Sequence, residues 1–516
     1  MQRTNLICSN FSGINRSSSV YSSSVITASD IQNVELYATE VNSGVGIRTA
    51  KGNVSVCNSI PNDERVINIF ESVQQQNTYF FVHTENEEEG KIYLFSPSAG
   101  TLTAKVTGLT VTGKSCGCDV SQGWSDLFVF SNSEELLTIE LNHYTGQTLD
   151  EVKMMNLQDS DGRDVKGLGV AVFSGRLWIF SGHILWYSVQ EDIYDFSTSD
   201  AEIVTSAGYI EFVKNITAIY PYLGTLAVFH SNSSCLITEG SDGVFSKTMD
   251  SPGGCAGYNS IVFHGTELYF YDDTKKGVFC FRQVVNGDKT LGDNIATDLQ
   301  EELFEVPVSE VQNIKMLSVV TSDRNEVWFL LPGVGEGSNS EYSTILIYDY
   351  LRRAWVKRKS QKINCFCVIG GILYSAGKKI YEEYVSDTFN GEFIEAFYKC
   401  TPLNLGRENS LKVVPYPPKV TLDMNYSNSF YVEYLKNYDS TTSKQKYIKA
   451  KTLKNFMYFD VSHWDSSYFP IKNINAVKSL AVSFFKTLQI TFLTKNIGDD
   501  FCIKNIEFEK IKVKTV

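Results

Sequence analysis

Asp159-Ser160-Asp161-Gly162-Arg163-Asp164 has the carboxylate density of a calcium loop. Its carboxylates are spaced like the opening of a calcium loop. The glycine, however, comes one place after the second Asp instead of at the sixth position, and no bidentate Glu follows at the twelfth. A solvated turn is therefore expected at 159–164, since Asp and Gly are turn residues, and no metal is assigned. Eleven cysteines are an odd count without C-x-x-C spacing, and the six histidines are scattered, so zinc is poorly supported. The cysteines read as small apolar residues of a reducing compartment. No G-x-S-x-G, Walker-type glycine loop or H-E-x-x-H occurs, and no catalytic residue or cofactor is expected.

Two basic clusters could contact phosphate or an acidic partner. Arg352, Arg353, Lys357 and Arg358 surround Trp355 in a segment that reads as a turn and the strand after it, with Trp355 buried and the charges at a rim. Lys444, Lys446, Lys449 and Lys451 (with Lys454) are interleaved with Tyr447 and Phe456. Their simpler reading is an edge strand guarded by lysine, because no arginine is there to grip phosphate bidentately. Both sets are candidate docking or DNA-facing residues.

The elements that must carry these residues repeat. Strand markers at Thr78-Tyr79, Leu127-Phe128, Leu177-Trp178, Leu226-Ala227, Leu268-Tyr269, Val327-Trp328 and Leu373-Tyr374 are separated by 49, 50, 49, 42, 59 and 46 residues. Each is followed by a second apolar strand across a turn, and turns such as Ser174-Gly175 and Gly370-Gly371 precede several of them. A period near 49 built from strands marks β-propeller blades. The fold expected is all-β: a six- or seven-bladed β-propeller with an N-terminal extended arm and a C-terminal β-sandwich-like domain. The corresponding ranges are 1–60, 61–398 and 399–516. The 59-residue step leaves room for an insertion, and the ring can close by borrowing a strand from each end. One short helix is expected at 294–304, capped by Asp298 or Asn294.

Charge is unevenly shared. Residues 411–516 hold 16 Lys, no Arg and 9 Asp/Glu, a local +7, so the formal −13 of the whole leaves −20 on the other 410 residues. Such an acidic body repels nucleic acid at long range and suits a wall past which DNA slides. No stretch reaches the 18 apolar residues of a membrane span, and the N-terminus lacks the apolar core of a secretory signal.

Several segments resemble those of one family. Asn10-Phe11-Ser12-Gly13-Ile14-Asn15, Ala28-Ser29-Asp30-Ile31-Gln32-Asn33-Val34 and Gly46-Ile47-Arg48-Thr49-Ala50-Lys51-Gly52 look like the lead-in to the propeller of head-to-tail and tail-nozzle proteins of short-tailed bacteriophages, the packaged-DNA stabilisation proteins. Ser12 stands where that family commonly has glycine. Gly254-Cys255 through Ser260-Ile261-Val262, and Tyr348-Asp349 with Arg353-Ala354-Trp355, resemble two of its hairpins. The resemblance implies a structural virion protein of the tail, assembled in the bacterial host cytoplasm. It implies a homohexameric ring around the DNA exit channel, in contact with portal and adaptor and with fibres or spikes, passing DNA without sequence-specific binding. A glycan-binding or glycan-cleaving propeller is the alternative left open, and it predicts a monomer with carboxylates and aromatics gathered on one face.

Overall fold

The computed structural model describes residues 3–16, 25–39, 44–57, 60–61, 63–123, 125–141, 150–200, 204–283, 289–334, 342–403, 405, 410–414, 419–423, 428–449, 473–476 and 482–514. They are almost wholly strand, with a helical insertion at Thr297–Leu299, Gln300–Phe304 and Val308–Asn313. That insertion accounts for the 59-residue step between markers. Its caps are not those expected: neither of its first two turns has a side-chain cap. Asn294 Oδ1 instead accepts the Val278 and Ala296 amides at 3.1 and 2.9 Å.

Seven sheets of four or five strands form a seven-bladed propeller. The seven markers fall on the second strand of each blade: Asn77–Glu85, Ser125–Ser131, Arg176–Ser181, Thr225–His230, Glu267–Asp272, Asn325–Leu331 and Ile372–Gly377. These central strands are buried on both faces, which is why they read as continuous apolar runs. First strands pack on one another in cyclic order, from Arg65–Gln74 through Cys116–Gln122, Gly169–Phe173, Ile216–Tyr222, Ile261–His264 and Lys315–Val320 to Ile363–Ile369 and back to Arg65–Gln74. The seventh blade takes its last strand, Gly52–Cys57, from ahead of the first. Closure of this kind ties the two ends of the repeat together and leaves only the short outer strands of the blades as edges.

What holds the blades together is apolar packing between neighbours. Leu177, Ile179 and Trp186 pack with Val129 and Leu136 between blades two and three. Trp178, Leu226 and Val228 share the next core. Phe81 stacks on Phe128 at 4.8 Å between blades one and two, and Trp328 meets Phe366 edge-on at 5.8 Å between blades six and seven. Each blade thereby buries what it could not bury alone.

The chain divides into two compact units: Ser55–Ile345 with Ser360–Glu383, and Met1–Val54 with Leu346–Lys359 and Tyr384–Val516. The second contains a curled sheet of fourteen strands. Arg3–Cys8 pairs antiparallel with Cys502–Lys514, and Val25–Gln32 pairs with Phe397–Cys400. The N-terminal extended segment and the C-terminal β-domain, expected as separate parts, thus share one sheet. The reason is in the pattern: Phe11, Ile14, Ile26, Ala28 and Ile31 are buried, and strands with one apolar face must find partners wherever the chain supplies them. Ser17-Ser18-Ser19, Ser22-Ser23-Ser24, Pro415, Pro417 and Pro418 lie outside the described residues.

Candidate functional site

Asp159 is buried, and every direction of its carboxylate is taken. It accepts the amides of Asp161 and Arg163 at 3.0 and 2.9 Å, the Arg163 Nε at 2.7 Å and the Trp186 indole N–H at 3.0 Å. Arg163 also reaches Asp161 at 3.0 Å and lies 4.2 Å over the Tyr209 ring. Burial pushes the Asp159 carboxyl upward, but these donors outweigh it and hold the group below its ordinary value. The Arg163 guanidinium closes 159–164 on itself, which makes it a clasped turn. The open cleft beside it, about 720 Å³, is lined by Glu134, Lys166, Asp164 and Tyr194 among others. Glu134 there is paired with Lys166 at 3.0 Å.

The first basic cluster separates into different roles. Arg352 pairs with Asp349 at 2.6 Å across a turn, and Arg353 is exposed at φ +50°. Lys357 pairs with Asp30 at 2.8 Å. Arg358 is buried, donates to the Lys51 carbonyl at 2.8 Å and lies over the Tyr384 and Phe389 rings. Trp355 is buried against Tyr348 at 4.9 Å, as expected. Of the four, Arg353 is exposed, Arg352 and Lys357 are half-buried in ion pairs, and Arg358 is buried.

Lys444, Lys446 and Lys449 sit on Asp439–Lys449, which pairs with Ser429–Lys436 and is an edge of the curled sheet among the described residues. Lys444 and Lys449 are exposed, while Lys446 is half-buried. Lys451 and Lys454 lie outside the described residues.

The least expected arrangement is at one end of the propeller axis, where residues at or just before the starts of the first strands meet. Ser115, ahead of blade two, donates its amide to the Tyr258 hydroxyl, ahead of blade five, at 3.1 Å. Lys114 reaches Gln312, ahead of blade six, at 3.0 Å, and Lys315 of blade six donates to the Ile67 carbonyl of blade one. These partners belong to blades that are not neighbours, so the bonds cross the ring at that end. Asn68 and His83 tie into the same knot through Ser115, at 3.1 and 3.0 Å. Burial, then the nearby Lys315 charge, pushes the His83 imidazole down to about 3, so it is neutral. Burial likewise lowers the Lys315 ammonium. Sequence reading missed this knot because its members are single polar residues far apart in the chain.

All eleven cysteines are free thiols, nine of them buried, and burial raises most of them; Cys8 and Cys255 reach about 11. No described helix is long and apolar enough to cross a membrane.

No protein-family model matches the chain, and no curated protein matches it. Among solved structures, it is similar to a streptogramin B lyase structure at 13% identity, covering 64% of this chain and 97% of that one with a TM-score of 0.40. A virginiamycin B lyase from Staphylococcus aureus gives 12% identity, 64% and 98% coverage, and 0.40. The computationally designed Ika8 protein gives 10%, 65% and 100%, and 0.36.

Proposed function

We propose that this chain is an architectural subunit of a bacteriophage tail, a nozzle or head-to-tail connector that forms a homohexameric ring around the DNA exit channel. In that role it helps retain packaged DNA and anchors portal, adaptor and fibre or spike proteins, with no chemistry of its own. One observation carries the reading: the motif residues that resemble the phage family meet in space. A side chain at Gly13 would lie 2.2 Å from the Trp355 carbonyl oxygen, so the first motif and the Tyr348–Trp355 hairpin need each other. Asn33 of the second motif has φ +52°, donates its amide to the Lys357 carbonyl at 2.8 Å and accepts the Lys359 amide at 2.9 Å. Ala50 of the third motif donates its amide to the Asn33 carbonyl at 2.8 Å, and Thr49 pairs with Val34. The packing of these segments on one another supports the reading.

The bonds that bridge the ring at one axial end support a corollary. DNA would pass through the ring made by the copies, not through any one propeller, and the −20 body would keep affinity along that wall low. Electron microscopy of the purified full chain, alone and with a portal complex, tests this. Six-fold rings, or addition of the chain only onto the portal, are the expected results. A monomer that ignores portal complexes and binds or hydrolyses glycans would overturn it.

A further inference from the structure

Blade four brings together a histidine, a cysteine and an aspartate that the sequence holds apart. Thr225–His230 and Ser233–Glu239 pair with Val228 opposite Cys235, which puts His230 and Cys235 on one sheet face at the hairpin tip. The return segment pairs Ser251 with Ser234, and one residue further Asp250 arrives beside Cys235. A ring nitrogen of His230, Cys235 Sγ and an Asp250 carboxylate oxygen all lie within 4.8 Å of one another. A second observation orients the imidazole. His230 Nδ1 is 3.0 Å from the Asn215 backbone carbonyl. A carbonyl only accepts, so Nδ1 carries the proton and the lone pair sits on Nε2. That is the outer hydrogen bond a metal-ligating histidine characteristically makes.

We infer that His230, Cys235 and Asp250 form a binding site for a borderline divalent cation of the zinc class, pinning the return segment to the hairpin of blade four. Thiolate and imidazole select zinc or cobalt over calcium and magnesium. One thiolate and one carboxylate neutralise a 2+ ion, which suits a position with two buried ligands and one at the surface. Tetrahedral zinc with these donors needs separations of about 3.3–3.8 Å. The exposed Asp250 supplies the contraction, and the fourth position faces solvent on its side. On binding, the Sγ–H bond breaks, its proton goes to buffer and the sulfur lone pair goes to the metal. Burial holds the free thiol protonated, at about 11, so the ion must drive that loss. Lys214 stands 3.9 Å from Asp250 and 2.8 Å from the Ser233 hydroxyl, and being exposed it swings away when the cation enters.

The test is a cobalt(II) titration of the EDTA-treated full chain. One equivalent is expected to give a near-ultraviolet thiolate-to-cobalt charge-transfer band that is absent in Cys235→Ser. Asp250→Asn, a surface change that leaves the core alone, is expected to weaken binding at least about tenfold, and Lys214→Ala to strengthen it. The absence of a band in the native chain, an unchanged band in Cys235→Ser, or native affinity in Asp250→Asn would each overturn the assignment.

Discussion

The propeller and the curled sheet solve the same problem, burying apolar strand faces, the first with the middle of the chain and the second with both its ends. In the propeller each sheet is drawn from consecutive strands, and only the closing strand Gly52–Cys57 is borrowed. In the curled sheet the partners are distant: Arg3 lies opposite Lys512, and the Thr27 hydroxyl meets that of Thr401. Local pairing spreads stability over repeated, similar interfaces. Distant pairing concentrates it at a few crossings where two segments must fit, and the N-terminal motifs at 10–15, 28–34 and 46–52 lie there. Substitutions in the two regions should therefore fail in different ways.

The largest effect is expected from Trp178→Ala. The ring is fully buried between blades three and four, near Tyr187 and Phe245 at 4.8 Å each, and its indole donates to the Phe173 carbonyl at 2.9 Å. Truncation is expected to cost about 3–5 kcal/mol. Amide hydrogen exchange should show protection lost across blades three and four. A loss confined to the residues of the curled sheet would break the proposed contrast. Gly13→Ala is the counterpart. Its Cβ would meet the Trp355 carbonyl oxygen and amide at 2.2 and 2.7 Å, backbone atoms that cannot rotate aside. A cost of about 1–3 kcal/mol is expected, read as faster exchange in Asn10–Ile14 and Ala354–Gln361. Native-like exchange in both strands would show that the crossing is loose.

The two regions also carry carboxyl groups shifted in opposite directions. Asp159, in the propeller, has a lowered folded value despite its burial, because its donors win. It stabilises the fold above the ordinary carboxyl range, and that contribution disappears as pH falls through the folded value. Asp500, in the curled sheet, is pushed up to about 6, first by burial and then by Asp387, against the Thr49 hydroxyl. Below about pH 4 it is protonated folded and unfolded and costs nothing. Its cost grows from there and is complete above pH 6. Asp500→Asn is therefore expected to stabilise at pH 7.5, by on the order of 2 kcal/mol, and to change nothing at pH 3.5. Asp159→Asn should destabilise at pH 7.5, with a deficit that shrinks towards pH 3. Urea melts of both variants across that range check the pair, and two slopes of the same sign would refute the contrast.

What the sequence discloses follows the same division. The seven markers are legible because a hairpin writes its two strands side by side, and their spacing even exposes the helical insertion. The fourteen-stranded sheet is not legible, because nothing near Val25–Gln32 names Phe397–Cys400 as its neighbour. At the sites, the clasp at Asp159 hinges on Arg163, which a ligand-spacing rule ignores. The tip His230-Ser231-Asn232-Ser233-Ser234-Cys235 could be read as a tight hairpin with both ligand types on one face. Asp250 could not, since it arrives through a third segment.

The smallest effect, and the sharpest use of the comparison, concerns the two basic patches. Arg352 and Arg353 sit on a turn, and the Arg352–Asp349 pair is partly solvated, so removing both side chains is expected to shift stability by less than about 1 kcal/mol. A turn that docks a partner would then lose ring assembly while keeping its melting curve. Lys444 and Lys449 lie on an edge strand, where charge blocks unwanted pairing. Lys444→Ala/Lys449→Ala should leave specific assembly intact and raise concentration-dependent aggregation, measured by light scattering. If assembly is lost in the edge variant and kept in the turn variant, the docking surface has been assigned to the wrong patch. A shared sign of charge would then have concealed the difference between a contact that recruits a partner and one that repels it.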